Sequence, residues 1–146
     1  MNKHMELELI TYGCGAFDLK KFQPIKSTQW VKPYGGLWAS PVNSNYGWKN
    51  WCLENSFGSL DSHFIFNYVG NILIIDSHDD LNELPYMNIN GLDLECPNFE
   101  KLATMYDAIL LTEIGQQKTR LSIPRHLYGW DCESVLIMNP NGIQIG

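Results

Sequence analysis

HFIFNYVGNILII, residues 63–75, is the stretch on which the fold turns. His63 to Val69 alternates and reads as a strand. Asn71 to Ile75 follows as a continuous apolar run, typical of a strand buried on both faces. Toward the N-terminus, Leu7 to Tyr12 reads as a first strand ended by Gly13 and Gly15. Phe17 to Phe22 offers one helical turn with Asp18 near its start, before a loop from Gln23 to Tyr34. The pair Gly35-Gly36 launches a short strand, Leu37 to Ser40, which Pro41 stops by removing a backbone donor. Asn43 to Phe57 carries Tyr46, Trp48, Trp51 and Cys52 at largely helical spacing and reads as a helix closed near Gly58.

Toward the C-terminus, Ser77 is a credible N-cap for the acidic turn Asp79 to Leu84, and Asn98 for a helix from Phe99 to Tyr106. Asp107 to Thr112 reads as another buried strand. Glu113 to Tyr128 reads as a long polar loop, and Glu133 to Met138 as the last strand. Short strands dominate and the helices are few and early. That order predicts an α+β fold with mainly antiparallel sheets, not a parallel βαβ sheet.

No repeat, low-complexity tract or linker divides the 146 residues, so a single domain, 1–146, is expected, large enough to bury a continuous core. Five Trp, seven Tyr and six Phe make it rich in aromatics and unlike a disordered chain. A net charge of −6 argues against nucleic acid, because a phosphate-tracking face needs surplus Lys and Arg. Cys14, Cys52, Cys96 and Cys132 lack metal-ligand spacing, so no metal site is expected. Four reduced thiols, no leader-like apolar run and no membrane-span pattern point to a soluble, cytoplasmic protein. His63 and His126 have no Cys or carboxylate at nucleophile–base spacing, so no Cys-His hydrolase is indicated.

The order of short motifs goes further. Thr11-Tyr12-Gly13, Phe17-Asp18, Lys21-Phe22 and Gly36-Leu37-Trp38-Ala39-Ser40 together resemble the opening of ADP-ribosyltransferase-like domains. Tyr106-Asp107-Ala108-Ile109 resembles an internal strand of that superfamily. Glu133 to Pro140 (ESVLIMNP) resembles its closing strand, where a catalytic Glu precedes apolar residues and an Asn-Pro. The resemblance implies two small, mainly antiparallel sheets around a NAD cleft. It also implies transfer of ADP-ribose from NAD to a protein acceptor, with release of nicotinamide.

Breaking the nicotinamide–ribose bond develops positive charge on the ribose, which a carboxylate stabilises. By resemblance that carboxylate is Glu133; the alternative is a solvated Glu at a strand start. Asp131, two residues earlier and on the same side at strand spacing, stands where relatives orient the acceptor, or is a turn-forming Asp. Tyr12 stands where many members hydrogen-bond the adenosine-side ribose. Gly13 either admits the nicotinamide carboxamide to the backbone or simply turns the chain. Trp38 and Ser40 align with the second motif strand. Tyr46 and Trp48 are placed to stack on nicotinamide, or to serve as core aromatics. Arg120 and Arg125 make the polar loop locally basic, for acceptor recognition or for the NAD pyrophosphate. With NAD as substrate, no metal and a monomer favoured, the chain suits a phage or mobile-element effector acting on a host protein. A NAD glycohydrolase and an inactive binding or inhibitor module are the alternatives.

Overall fold

A computed structural model of the chain describes residues 2–28, 31–56, 60–88, 95–122, 125–127 and 129–145. The helix end expected at Phe57 and Gly58, and the loop end expected at Tyr128, lie outside the described residues.

Five strands form one sheet that closes on itself. β1 (Asn2–Tyr12) pairs antiparallel along its whole length with β3 (His63–Ile75), and at Leu9 and Ile10 with β2 (Leu37–Pro41). β2 pairs with β7 (Ser134–Ile137), β7 with β6 (Ala108–Leu111), and β6 returns to β3. A two-residue strand, β8 (Ile143–Gln144), pairs with Asn67 and Tyr68 of β3. β4 (Tyr86–Asn88) and β5 (Glu95–Pro97) make a separate two-stranded ribbon. The molecule is therefore α+β, a barrel-like ring plus a ribbon, where two facing sheets were expected. One pair, β3 with β6, is parallel, because residues 76–107 cross over between them.

The ring explains the apolar runs. Leu9, Ala39, Phe66, Tyr68, Ile72, Ala108, Leu110, Val135 and Ile137, drawn from all five strands, fill its interior. The alternate residues Leu73, Ile75, Ile109, Leu111 and Leu136 pack outside, under Leu81, Phe99, Leu102 and Trp130. Strands with both faces buried lose the polar alternation that one wet face would impose. Gly70 makes β3 one strand rather than two. A Cβ there would sit 2.9 Å from the Asp107 side chain, whose Oδ2 accepts the Asn71 amide at 2.7 Å.

The helices are α1 (Trp48–Asn55), α2 (His78–Asn82), α3 (Phe99–Met105) and α4 (Glu113–Thr119). α1 begins five residues later than Asn43, at Trp48, and turns into the left-handed region at Ser56 (φ 49°). Asn98 caps α3 as its sequence suggests, accepting from the Lys101 amide. Ser77 is the N-cap of α2, as its sequence suggests, in a capping box with Asp80. The Asp80 carboxylate accepts from the Asp76 and Ser77 amides and from the Ser77 hydroxyl. α4 occupies the start of the stretch expected to be a long loop, and the Thr112 hydroxyl caps it by accepting from the Gly115 amide.

No helix among the described residues is long and apolar enough to cross a membrane. All four cysteines are unpaired, with Cys14 exposed and the other three buried.

Candidate functional site

On the outer face of β1, β2 and β7 lies a pocket of about 270 Å³, lined by Ile10, Tyr12, Trp38, Ser40, Trp48 and Asp131, with Lys32, Ala39, Trp130, Cys132 and Ser134. Leu9 and Ala39 face the ring interior, so Ile10, Tyr12, Trp38 and Ser40 fall on the outside by strand alternation. Trp38 and Trp130 meet edge to face at 4.8 Å between centroids, and Trp48 stacks on Trp51 at 5.1 Å. Trp130 is held in place by its indole N–H, which donates to the Val31 carbonyl at 2.6 Å.

Lys32 reaches the pocket on a folded-back loop, its ammonium 5.5 Å above the Trp38 ring. That loop is pinned in four places. Lys26 and Tyr34 exchange backbone hydrogen bonds, and Gly36 N–H reaches Gln23. Ser27 and Glu100 bond reciprocally, and the Thr28 hydroxyl donates to the Lys32 carbonyl at 2.8 Å. Gly35, at φ +82°, allows the return, because a Cβ there would fall 2.2 Å from the Pro24 carbonyl oxygen.

Ser40 lines the pocket but is only 2 % exposed, and its hydroxyl is committed to the scaffold. It donates to the Glu133 carbonyl at 3.0 Å and accepts the Trp48 amide at 2.9 Å, so it fixes α1 against β7. Burial pushes the Tyr12 phenol up, with the Cys52 thiol adding to the shift, so Tyr12 keeps its proton at neutral pH and can donate. Burial also dominates at Cys132. Asp131 adds to the rise, while the Ser134 and Ser40 hydroxyls and Lys32 oppose it, leaving the thiol above its ordinary value. A buried thiol so shifted is a poor nucleophile.

Of the site residues expected from sequence, Tyr12, Trp38, Ser40, Trp48 and Asp131 meet at this pocket. Glu133 does not line it. Cys132 and Ser134, on either side of Glu133, do. The Glu133 carboxylate instead accepts the Glu113 amide at 3.2 Å, at the start of α4, and its own amide donates to the Tyr46 carbonyl. β7 begins only at Ser134, so strand spacing does not put Asp131 and Glu133 on one side. Gly13 (φ +100°) turns the chain beyond β1, donating to the Ser62 carbonyl, and is not part of the lining. Tyr46 also stands outside it, its hydroxyl donating to Glu54 at 2.6 Å. Arg120 closes α4 on the exposed surface, close enough to the Tyr46 phenol to oppose, without reversing, its upward shift. Arg125 lies over the Tyr86 ring at 4.2 Å and donates to Asn82, and neither arginine lines the pocket.

Ile10, Lys32, Trp130 and Cys132 line the pocket from outside the quoted motifs, and Ala39 and Ser134 from motif positions to which no role is assigned. Trp130 carried the one usable signal, a large aromatic directly before Asp131. Among the described residues no group of three or more His, Cys, Asp and Glu converges as a metal site. Compared with known proteins, the chain matches no family model, no curated protein and no solved structure.

Proposed function

We propose that the chain is a NAD-binding module of the ADP-ribosyltransferase-like type, holding the nicotinamide riboside end of NAD in the aromatic pocket. The observation that carries this reading is convergence. Tyr12, Trp38, Ser40, Trp48 and Asp131 are distant in sequence, and they line one pocket. The proposal includes the fold, since the four motif-bearing strands, β1, β2, β7 and β6, are successive neighbours in the sheet. A flat pyridinium suits a wall of indoles by stacking and by cation–π attraction. The pocket volume falls just below the usual range for small-molecule sites, which suits a ring with its sugar rather than a whole dinucleotide.

Binding is favoured over turnover because the Glu133 carboxylate is occupied at α4 and stands off the pocket. A second reading, ADP-ribose transfer to a protein acceptor or NAD hydrolysis, rests on Asp131, the one carboxylate among the lining residues.

Calorimetric titration with NAD, paired with incubation of labelled NAD and cell lysate, separates the readings. Saturable binding without nicotinamide release is the expected result. A labelled protein band establishes transfer, and free ADP-ribose establishes hydrolysis. No binding of NAD overturns the proposal.

A further inference from the structure

We propose that the pocket selects a ligand carrying two opposite charges, a planar cationic ring beside Asp131 and a phosphate beside Lys32. This rests on the reading of the pocket as a NAD site, and it names what distinguishes one nicotinamide compound from another there.

The lining is apolar and aromatic apart from a few groups, and only two of these bear charge at neutral pH, Lys32 and Asp131. Both act on the pocket interior, since each shifts the Cys132 thiol and they do so in opposite directions. Lys32 is exposed, so a phosphate can reach it from solvent at the rim. Its backbone is not loose. The Thr28 hydroxyl holds its carbonyl, and Trp130 holds that of Val31 beside it. A lysine presented by a pinned loop loses less freedom on engaging an anion than one on a mobile loop. Asp131 has no hydrogen-bond partner among the described residues, and it sits half-buried between Trp130 and Cys132. A half-buried carboxylate with no donor favours a cation at the pocket wall.

Oxidised nicotinamide mononucleotide has both features, a pyridinium and a phosphate. Nicotinamide riboside keeps the cation and lacks the phosphate. Reduced nicotinamide mononucleotide keeps the phosphate and has a neutral ring. Lys32 is therefore the residue that recognises the phosphate, and Asp131 the residue that recognises the oxidation state.

The test is calorimetric titration of the full chain with these three compounds. Oxidised mononucleotide should bind roughly tenfold more tightly than either of the other two, the scale of one charge-assisted contact. Lys32→Met should abolish the preference over the riboside and leave the preference over the reduced form. Asp131→Asn should leave the preference over the riboside and cut the preference over the reduced form to what the indole wall alone supplies. Both changes are nearly isosteric, and circular dichroism checks that the variants fold. Equal binding of mononucleotide and riboside by the wild type, or an unchanged ratio in Lys32→Met, overturns the inference while the NAD site stands. Failure of all three compounds to bind overturns the NAD site and the inference with it.

Discussion

Glu133 and Ser40 are tied together through the backbone, the Ser40 hydroxyl donating to the Glu133 carbonyl while the Glu133 carboxylate reaches the first amide of α4. An anionic oxygen at a helix N-terminus contributes roughly 0.3–1 kcal/mol. Glu133→Gln keeps the shape and removes the charge. We expect it to lower stability in urea unfolding by no more than about 1 kcal/mol, and to leave NAD affinity within about twofold. A tenfold loss of NAD affinity in the folded variant would put Glu133 back at the ligand. Residue types were legible where a motif fixed their place along a strand, as with Tyr12, Trp38 and Ser40. Asp131 and Glu133 were not separable, because strand spacing would put both on one side, whereas the strand starts only after them, at Ser134. Lys32 had no local signal at all. It reaches Trp38 only because the loop folds back through the Lys26–Tyr34 bridge.

At the scale of elements, β2, β3, β6 and β7 are legible because ring closure buries much of both faces and leaves apolar runs. The first five residues of β1 and the short β4, β5 and β8 carry no such run. α4 is not legible either. Its buried residues are Gly115, Gln116 and Thr119, none strongly apolar, so hydrophobic periodicity has nothing to report. Thr112 followed by Glu113, a capping residue before an acidic first turn, was the visible sign. α1 was placed too early because Tyr46 shares its aromatic spacing while standing before the helix. Tyr46 tethers α1 to β7, with its carbonyl taken by the Glu133 amide and its hydroxyl by Glu54 of α1. That hydrogen bond, more than burial, pushes the Tyr46 phenol up to about 12 from its ordinary value near 10. The protonated form is the one the fold favours. Its stabilisation is therefore whole below pH 10 and is lost as the pH rises toward 12. The stability difference between wild type and Tyr46→Phe, followed by urea unfolding, should shrink over that interval. A difference that stays constant would mean that the tether does not form.

At the scale of the molecule, the ring is unevenly joined. β1 meets β3 along all eleven of its residues but meets β2 only at Leu9 and Ile10. The Val42 amide to the Glu8 carbonyl and the Thr11 hydroxyl to the Trp38 carbonyl, both 3.0 Å, are the reinforcements across that seam. The pocket spans the same seam, taking Ile10 and Tyr12 from one side and Trp38 and Ser40 from the other. Local opening follows the fewest cross-strand bonds, so the ring should part between β1 and β2 before it parts between β1 and β3. Parting there separates the two halves of the pocket and abolishes the site. A ligand that binds only the closed ring then protects the seam by mass action, by about 2.7 kcal/mol at a hundred times its Kd. In hydrogen exchange, the amides at the Ile10–Ser40 pairing should exchange faster than those where β3 meets β6. Saturating NAD should slow the seam roughly a hundredfold and leave the β3–β6 amides little changed. Slowing spread evenly over the ring would mean that the ligand stabilises global folding alone. No slowing at the seam, with NAD bound, would place the ligand outside this pocket.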